Sequence, residues 1–243
     1  MRGRQLPLAV QLRDTASFSS YWAGGNAETV AALRALRHPT LLYGPAGSGR
    51  THLLQALCRE QGGAYLPLTE IRAYGPEALD GFDASPLLCL DDLDAVGGDR
   101  DWALALLRLI DRRRAAALPF VFSALAPPEH LALALPDLRT RLAACVVLGL
   151  LPLSDAERAE LLRDRAQARG LALPAEVARW LLQTQGRSSG ALVEALERLD
   201  RASLSEKRRL TLPFVQAVLG RPSAERRAGD DTADAQRGDD SGA

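Results

Sequence analysis

Apolar residues along the chain change their period near position 152, and that change divides the sequence into two kinds of structure. Before it, short apolar runs bounded by Gly and Pro alternate with longer segments of helical spacing. Thr40-Leu41-Leu42-Tyr43, Ala64–Leu68, Leu87–Leu90, Phe120–Ser123 and Cys145–Leu148 read as buried strands. Between them, Glu28–Leu36, Thr51–Glu60 and Trp102–Arg114 read as helices, the second with Leu53, Leu54 and Leu57 on one face. Strands separated by helical crossovers imply a parallel sheet covered on both faces, so the fold class is α/β.

After Pro152 only helical spacing remains. Ser154-Asp155-Ala156-Glu157 has the form of a capping box, in which Ser154 and Glu157 each satisfy a backbone amide left free at a helix start. Helices are expected at Asp155–Arg169, Pro174–Gln185, Ser189–Ser203 and Thr211–Leu219, the third with Leu192, Leu196 and Leu199 on one face. Residues 1–26 show no periodicity and are expected to form an extended arm. Arg221–Ala243 is rich in Gly, Asp, Arg and Ala and is expected to be a disordered tail. The expected organisation is therefore an arm over 1–26, a core over 27–152, a smaller all-helical unit over 153–220 and a tail over 221–243.

Composition narrows the function. The chain has 243 residues, 47% hydrophobic, with 30 Lys and Arg against 30 Asp and Glu, so no surface is built to neutralise many phosphates of DNA. Cys58, Cys89 and Cys145 are widely spaced and lie in apolar stretches, which argues for buried thiols in a reducing compartment rather than zinc ligands or disulfides. The longest apolar run, Ala143–Leu153, is too short to span a bilayer, and the expected location is the cytoplasm. Lys207 is the only lysine, which bears on the loop considered next.

Gly44-Pro45-Ala46-Gly47-Ser48-Gly49-Arg50-Thr51 has the P-loop spacing, with Arg50 in the position usual for lysine. Small residues let successive amides turn inward around phosphate oxygens, and the following helix points its positive end at them. Thr51 would offer its hydroxyl to Mg²⁺. Leu87-Leu88-Cys89-Leu90-Asp91-Asp92 delivers two carboxylates to the same end of the sheet, Asp91 for the metal and Asp92 as a second metal-side or water-orienting group. Two further segments carry candidate binding groups. Leu135–Leu142 opens a short helix with Arg139 and Arg141, which composition alone assigns to a solvated face. Gln5-Leu6-Pro7-Leu8 places leucines in the arm, where they either fold back or dock on a partner.

Over nearly its whole length to about Leu219 the chain resembles the Hda family of DnaA-related AAA+ proteins. The resemblance rests on Gln5-Leu6-Pro7-Leu8, on 18–26, on Gly49-Arg50-Thr51-His52-Leu53-Leu54, on Leu90-Asp91-Asp92, and on Pro127-Pro128. It continues through Leu135-Pro136-Asp137-Leu138 with Arg141-Leu142, Leu151-Pro152-Leu153-Ser154-Asp155, and Leu199-Asp200-Arg201-Ala202-Ser203. It implies an AAA+ core with a helical lid, binding ADP or ATP with Mg²⁺, and no helix-turn-helix after the lid. It also implies that Gln5, Leu6 and Leu8 contact the DNA polymerase III β sliding clamp. Arg141, rather than Arg139, becomes an arginine finger acting in trans on ATP-bound DnaA. The implied function is regulatory inactivation of DnaA, with DNA engaged only through the clamp, placement near the nucleoid, no membrane contact, and self-association left open.

Arginine at position 50 is common in the family. The sequence departs from the wider DnaA-related pattern where Leu125 replaces an acidic residue beside Ser123. It departs again where Gly190 stands at the lid arginine, with Arg187 one turn earlier. Both departures imply weak ATPase activity of the chain's own. The competing function is an autonomous ATPase of the clamp-loader or DNA-remodelling type, which would call for lysine at position 50 and both polar sensors.

Overall fold

The computed structural model describes residues 16–185 and 188–220. Gln5, Leu6 and Leu8, the tail over 221–243, and Arg187 lie outside the described residues. Five strands, β1 (Thr40–Tyr43), β2 (Ala64–Pro67), β3 (Leu88–Asp91), β4 (Phe120–Ala124) and β5 (Val146–Gly149), form one parallel sheet in the order β2-β3-β4-β1-β5. Helix α1 (Ala27–Arg34) precedes β1, and α2 (Arg50–Gln61), α3 (Leu68–Ile71), α4 (Arg100–Ala115) and α5 (Pro136–Ala143) lie between the strands. The α/β class and the parallel sheet expected from the sequence are both present.

Strand residues alternate between two cores, because successive side chains point to opposite faces of a sheet. Leu41, Leu66, Leu88, Leu90, Phe120 and Phe122 face one side and meet Trp102, Leu106, Ile110 and Leu138 of α4 and α5. Leu42, Tyr65, Cys89 and Val121 face the other and meet Leu33 of α1 and Leu53, Leu54 and Leu57 of α2. Both faces are therefore closed by crossover helices, as a parallel sheet requires. All three cysteines are buried free thiols.

The chain divides into two compact units, one holding residues to Glu157 with 187–190, the other the remaining residues from Arg158. The division falls within α6 (Asp155–Ala168). The second unit contains most of α6, with α7 (Ala175–Thr184), nearly all of α8 (Ser189–Glu206), and α9 (Leu212–Leu219). Its core joins Leu162, Val177, Leu181, Leu192, Leu196, Leu199 and Phe214. Among the described residues no helix is long and apolar enough to cross a membrane.

Residues 16–26 depart from the extended arm expected of them. They form two short 3-10 turns, Phe18–Ser20 and Gly24–Asn26, the first closed by a capping box between Ser17 and Ser20. Phe18 and Tyr21 pack against the α1–α2 core, and Ala16 is buried. Turns of three residues carry no period that a sequence pattern could reveal. Asn26 then joins this segment to the far end of β5, donating to the Leu151 carbonyl at 3.0 Å and accepting from the Leu151 amide at 2.7 Å.

Candidate functional site

The parallel register gathers the chemistry at one sheet edge. β4 lies between β1 and β3, so Ser123, paired with Leu42 of β1, sits between the loop that leaves β1 and the carboxylates that end β3. The P-loop sequence occupies the turn from β1 into α2. Two of its glycines are required sterically. A Cβ at Gly44 would stand 2.8 Å from Ser48 Oγ and 3.0 Å from the Leu150 carbonyl, and Gly49 has φ +93° with the Tyr21 ring where a Cβ would go.

Tyr21, which the sequence reading passed over, clamps this turn. Its hydroxyl donates to the Ser48 carbonyl at 2.8 Å, and its ring lies 5.7 Å from that of His52. Burial pushes the Tyr21 phenol up to about 12, so it remains a donor throughout the physiological range.

The loop leaves polar atoms without partners. Ser48 Oγ and Arg50 Nη1 are both buried and make no hydrogen bond among the described residues. A buried donor costs free energy unless something accepts from it, so these orphans mark a place for an anion. The amino end of α2, a twelve-residue helix, points at the same turn and favours negative charge. The loop residues Gly44 to Thr51 thus suit a phosphate chain.

The acidic residues are disposed less simply. Asp91 is 1% exposed, and both its oxygens are taken: Tyr65 donates to Oδ2 at 2.7 Å and Ser123 donates to Oδ1. Burial and the Asp91 charge together raise the Tyr65 phenol far above its ordinary value, keeping its proton in that bond. Asp92 adopts a left-handed backbone, φ 58° and ψ 58°, with its amide donating to Ser123 Oγ at 2.9 Å. Its carboxylate meets Arg50 Nη2 at 3.3 Å and the Thr69 hydroxyl at 3.4 Å. Burial and the neighbouring Asp91 raise the Asp92 carboxyl, while Arg50 and Thr69 oppose them. Thr51 follows Arg50 in the first turn of α2.

Ser123 is thereby committed to the two aspartates. In the next turn Leu125 has a half-exposed apolar side chain, and its amide donates to Asp94 at 2.8 Å.

The two arginines of α5 have different surroundings. Arg139 turns back and donates to the carbonyls of Glu129 at 2.6 Å, Leu131 at 3.1 Å and Pro128 at 3.4 Å, fixing the preceding loop. Arg141 points outward, and its bond to Asp111 at 2.9 Å joins two side chains that are 45% and 54% exposed. Composition and spacing could not separate them, since the carbonyls that occupy Arg139 are backbone groups that leave no mark in the sequence.

Comparison with known proteins adds to this geometry. Residues 155–219 match the family model described as Hda, lid domain. Domain III of the Thermotoga maritima replication initiation protein DnaA is similar with a TM-score of 0.70 at 19% identity, covering 86% of this chain and 97% of that one. DnaA from Aquifex aeolicus, solved with AMPPCP bound, gives 0.61 at 18% identity over 80% and 71% of the two chains. The Thermotoga maritima RuvB Holliday junction branch migration motor gives 0.56 at 16% identity over 84% and 71%. At such identities the likeness is one of fold, while the family match is confined to the helical segment 155–219. The parallel sheet with its P-loop turn thus has the fold of DnaA domain III, and residues 155–219 match the lid domain of Hda.

Proposed function

We propose that this protein regulates DnaA by stimulating hydrolysis of DnaA-bound ATP, so that replication is not initiated again. The observation that carries the reading is the Hda lid match over 155–219, which separates this chain from motors that share only the AAA+ core. In this reading ADP or ATP lies in the turn Gly44–Thr51, its phosphates accepting from the loop amides, Ser48 Oγ and Arg50. Gln5, Leu6 and Leu8 dock on the β sliding clamp loaded on DNA. Arg141 then enters the nucleotide site of ATP-bound DnaA.

The surroundings of Arg141 support that role. Its one ion pair lies in solvent, where such pairs contribute little, so leaving Asp111 for a phosphate requires a small free energy. A guanidinium brought to the transferring phosphoryl group compensates the charge spread over its oxygens in the transition state. Arg139 would have to abandon three carbonyls to do the same. Little ATPase activity is expected of the chain itself, because Asp92 is paired with Arg50 and Leu125 offers no polar group.

The reading is tested by assembly. ATP-bound DnaA and this protein, mixed with clamp loaded on DNA, should be recovered together, and omission of the clamp or Leu6→Ala with Leu8→Ala should abolish recovery. Failure of DnaA to be recovered with the complete mixture would overturn it.

A further inference from the structure

The AAA+ fold implies a magnesium ion beside the phosphates, and Thr51, Asp91 and Asp92 are the residues that would hold it. Their arrangement does not fit that ion. Asp91 is sealed in the sheet, with each carboxylate oxygen already accepting a hydroxyl, from Ser123 on one side and Tyr65 on the other. Asp92 is turned by its left-handed backbone toward Thr69 and Arg50, and the nearest cation to it is the Arg50 guanidinium. Among the described residues no group of three or more His, Cys, Asp and Glu is placed to hold a metal. Thr51 is the one of the three whose oxygen is not already engaged, so beside phosphate oxygens and water the protein would give magnesium a single hydroxyl.

Arg50 has the complementary property. A guanidinium is planar, permanently charged and presents five donors in a fixed fork, so it can serve two anions at once where an ammonium is a single point charge. Here Nη2 already faces the Asp92 carboxylate, while Nη1 is buried and has no acceptor among the described residues. The side chain is only 9% exposed, so its reach is set by packing rather than by solvent. Bridging a carboxylate at the end of β3 to a phosphate is the task that a divalent cation performs in a P-loop site.

Resting on the nucleotide-site reading above, we infer that Arg50 stands in for the divalent metal: its guanidinium bridges Asp92 and the phosphates, and the protein binds nucleoside diphosphate without a metal ion. Asp91 then keeps a structural task, holding Tyr65 and Ser123, and through Ser123 the amide of Asp92.

The test is the affinity of the full-length protein for a fluorescent ADP, measured in magnesium and again in EDTA. The parent should bind with affinities within roughly threefold of each other. In Arg50→Lys the shorter point charge cannot span both anions, and removal of magnesium should weaken binding by about tenfold or more. Manganese titrated into the parent protein–ADP complex, freed of excess ADP, should keep the electron-spin resonance signal it has with the protein alone. Loss of parental affinity in EDTA, or uptake of manganese by the protein–ADP complex, would overturn the inference while leaving the nucleotide site standing. Absence of ADP binding in both buffers would remove the site itself, and the inference with it.

Discussion

Replacing Arg139 and Arg141 one at a time separates a residue that builds the protein from one that acts on a partner. Arg141→Ala removes a single ion pair whose side chains are about half exposed, 45% and 54%. Pairs of this kind contribute about 0.2 to 1 kcal/mol, and for a chain of this size that moves Tm by at most about 4 °C. Arg139→Ala instead strands the carbonyls of Pro128, Glu129 and Leu131, two of them only partly reached by solvent. A charge-assisted set of this kind is worth about 2 kcal/mol, or roughly 4 to 8 °C. Hydrolysis of DnaA-bound ATP should show the opposite ranking. Trans fingers of other NTPases change rates by about 10³ to 10⁵, equivalent to about 4 to 7 kcal/mol in the transition state, several times anything Arg141 contributes to its own fold. The assay pairs thermal unfolding of each variant with ADP formation on DnaA in the presence of DNA-loaded clamp. Near-parental stimulation by Arg141→Ala together with its loss in folded Arg139→Ala would show that the finger has been assigned to the wrong arginine. Retention by both would dispose of the trans-finger mechanism.

Ser123→Ala leaves the part-buried Asp92 amide and one oxygen of the buried Asp91 unpaired, and urea unfolding should show a loss of about 1 to 3 kcal/mol; an unchanged midpoint would contradict the bridge described here. Leu6→Ala with Leu8→Ala removes two apolar side chains worth about 1.5 to 3 kcal/mol each, so clamp affinity in a titration should fall by orders of magnitude, with nucleotide affinity unchanged. Glu157 is held below the ordinary carboxylate range by the Ser154 amide and hydroxyl and by the Gly25 amide. Because the folded pKa is the lower one, the contribution of Glu157 is present above the unfolded value of about 4.3 and is lost as pH falls through the folded value. Glu157→Gln should accordingly lower Tm at neutral pH, with the difference from the parent shrinking on acidification, and a gap independent of pH would refute that assignment.

What could be read from the sequence was what repeats. The strands and long helices lie within a few residues of their expected limits, because a buried strand needs an unbroken apolar run and a covering helix needs leucines at turns of one face. Ser154 and Glu157 could be read as a capping box for a similar reason, since both partners lie within one turn of chain, and the reciprocal bonds are present at 2.8 and 3.3 Å. Contacts between distant residues left no such trace. Tyr65 and Asp91 meet only because β2 and β3 are neighbours in the sheet, and Tyr21 reaches Ser48 only because its segment folds back in 3-10 turns. The left-handed backbone of Asp92 is accompanied by a bond from its amide to the Ser123 hydroxyl, thirty-one residues away. For that reason the P-loop could be recognised from its spacing, while the state of its acidic partners required the sheet. Arg113 makes the same point. It stands in a run of three arginines that looks like a solvated helix end, yet it is 1% exposed and donates to the carbonyls of Phe82, Asp83, Ser85 and Pro119.

The central claim is that this chain acts on the ATP of another protein. It is tested most directly by following radiolabelled ATP pre-bound to DnaA in single turnover, with clamp loaded on DNA, with and without this protein. The account predicts that adding the protein accelerates conversion to ADP by about 10³ or more, in keeping with fingers supplied in trans, and that omitting the clamp abolishes the effect. DnaA-bound ATP that decays at the same rate with and without the protein would contradict it, and so would free ATP consumed by this chain alone at a comparable rate.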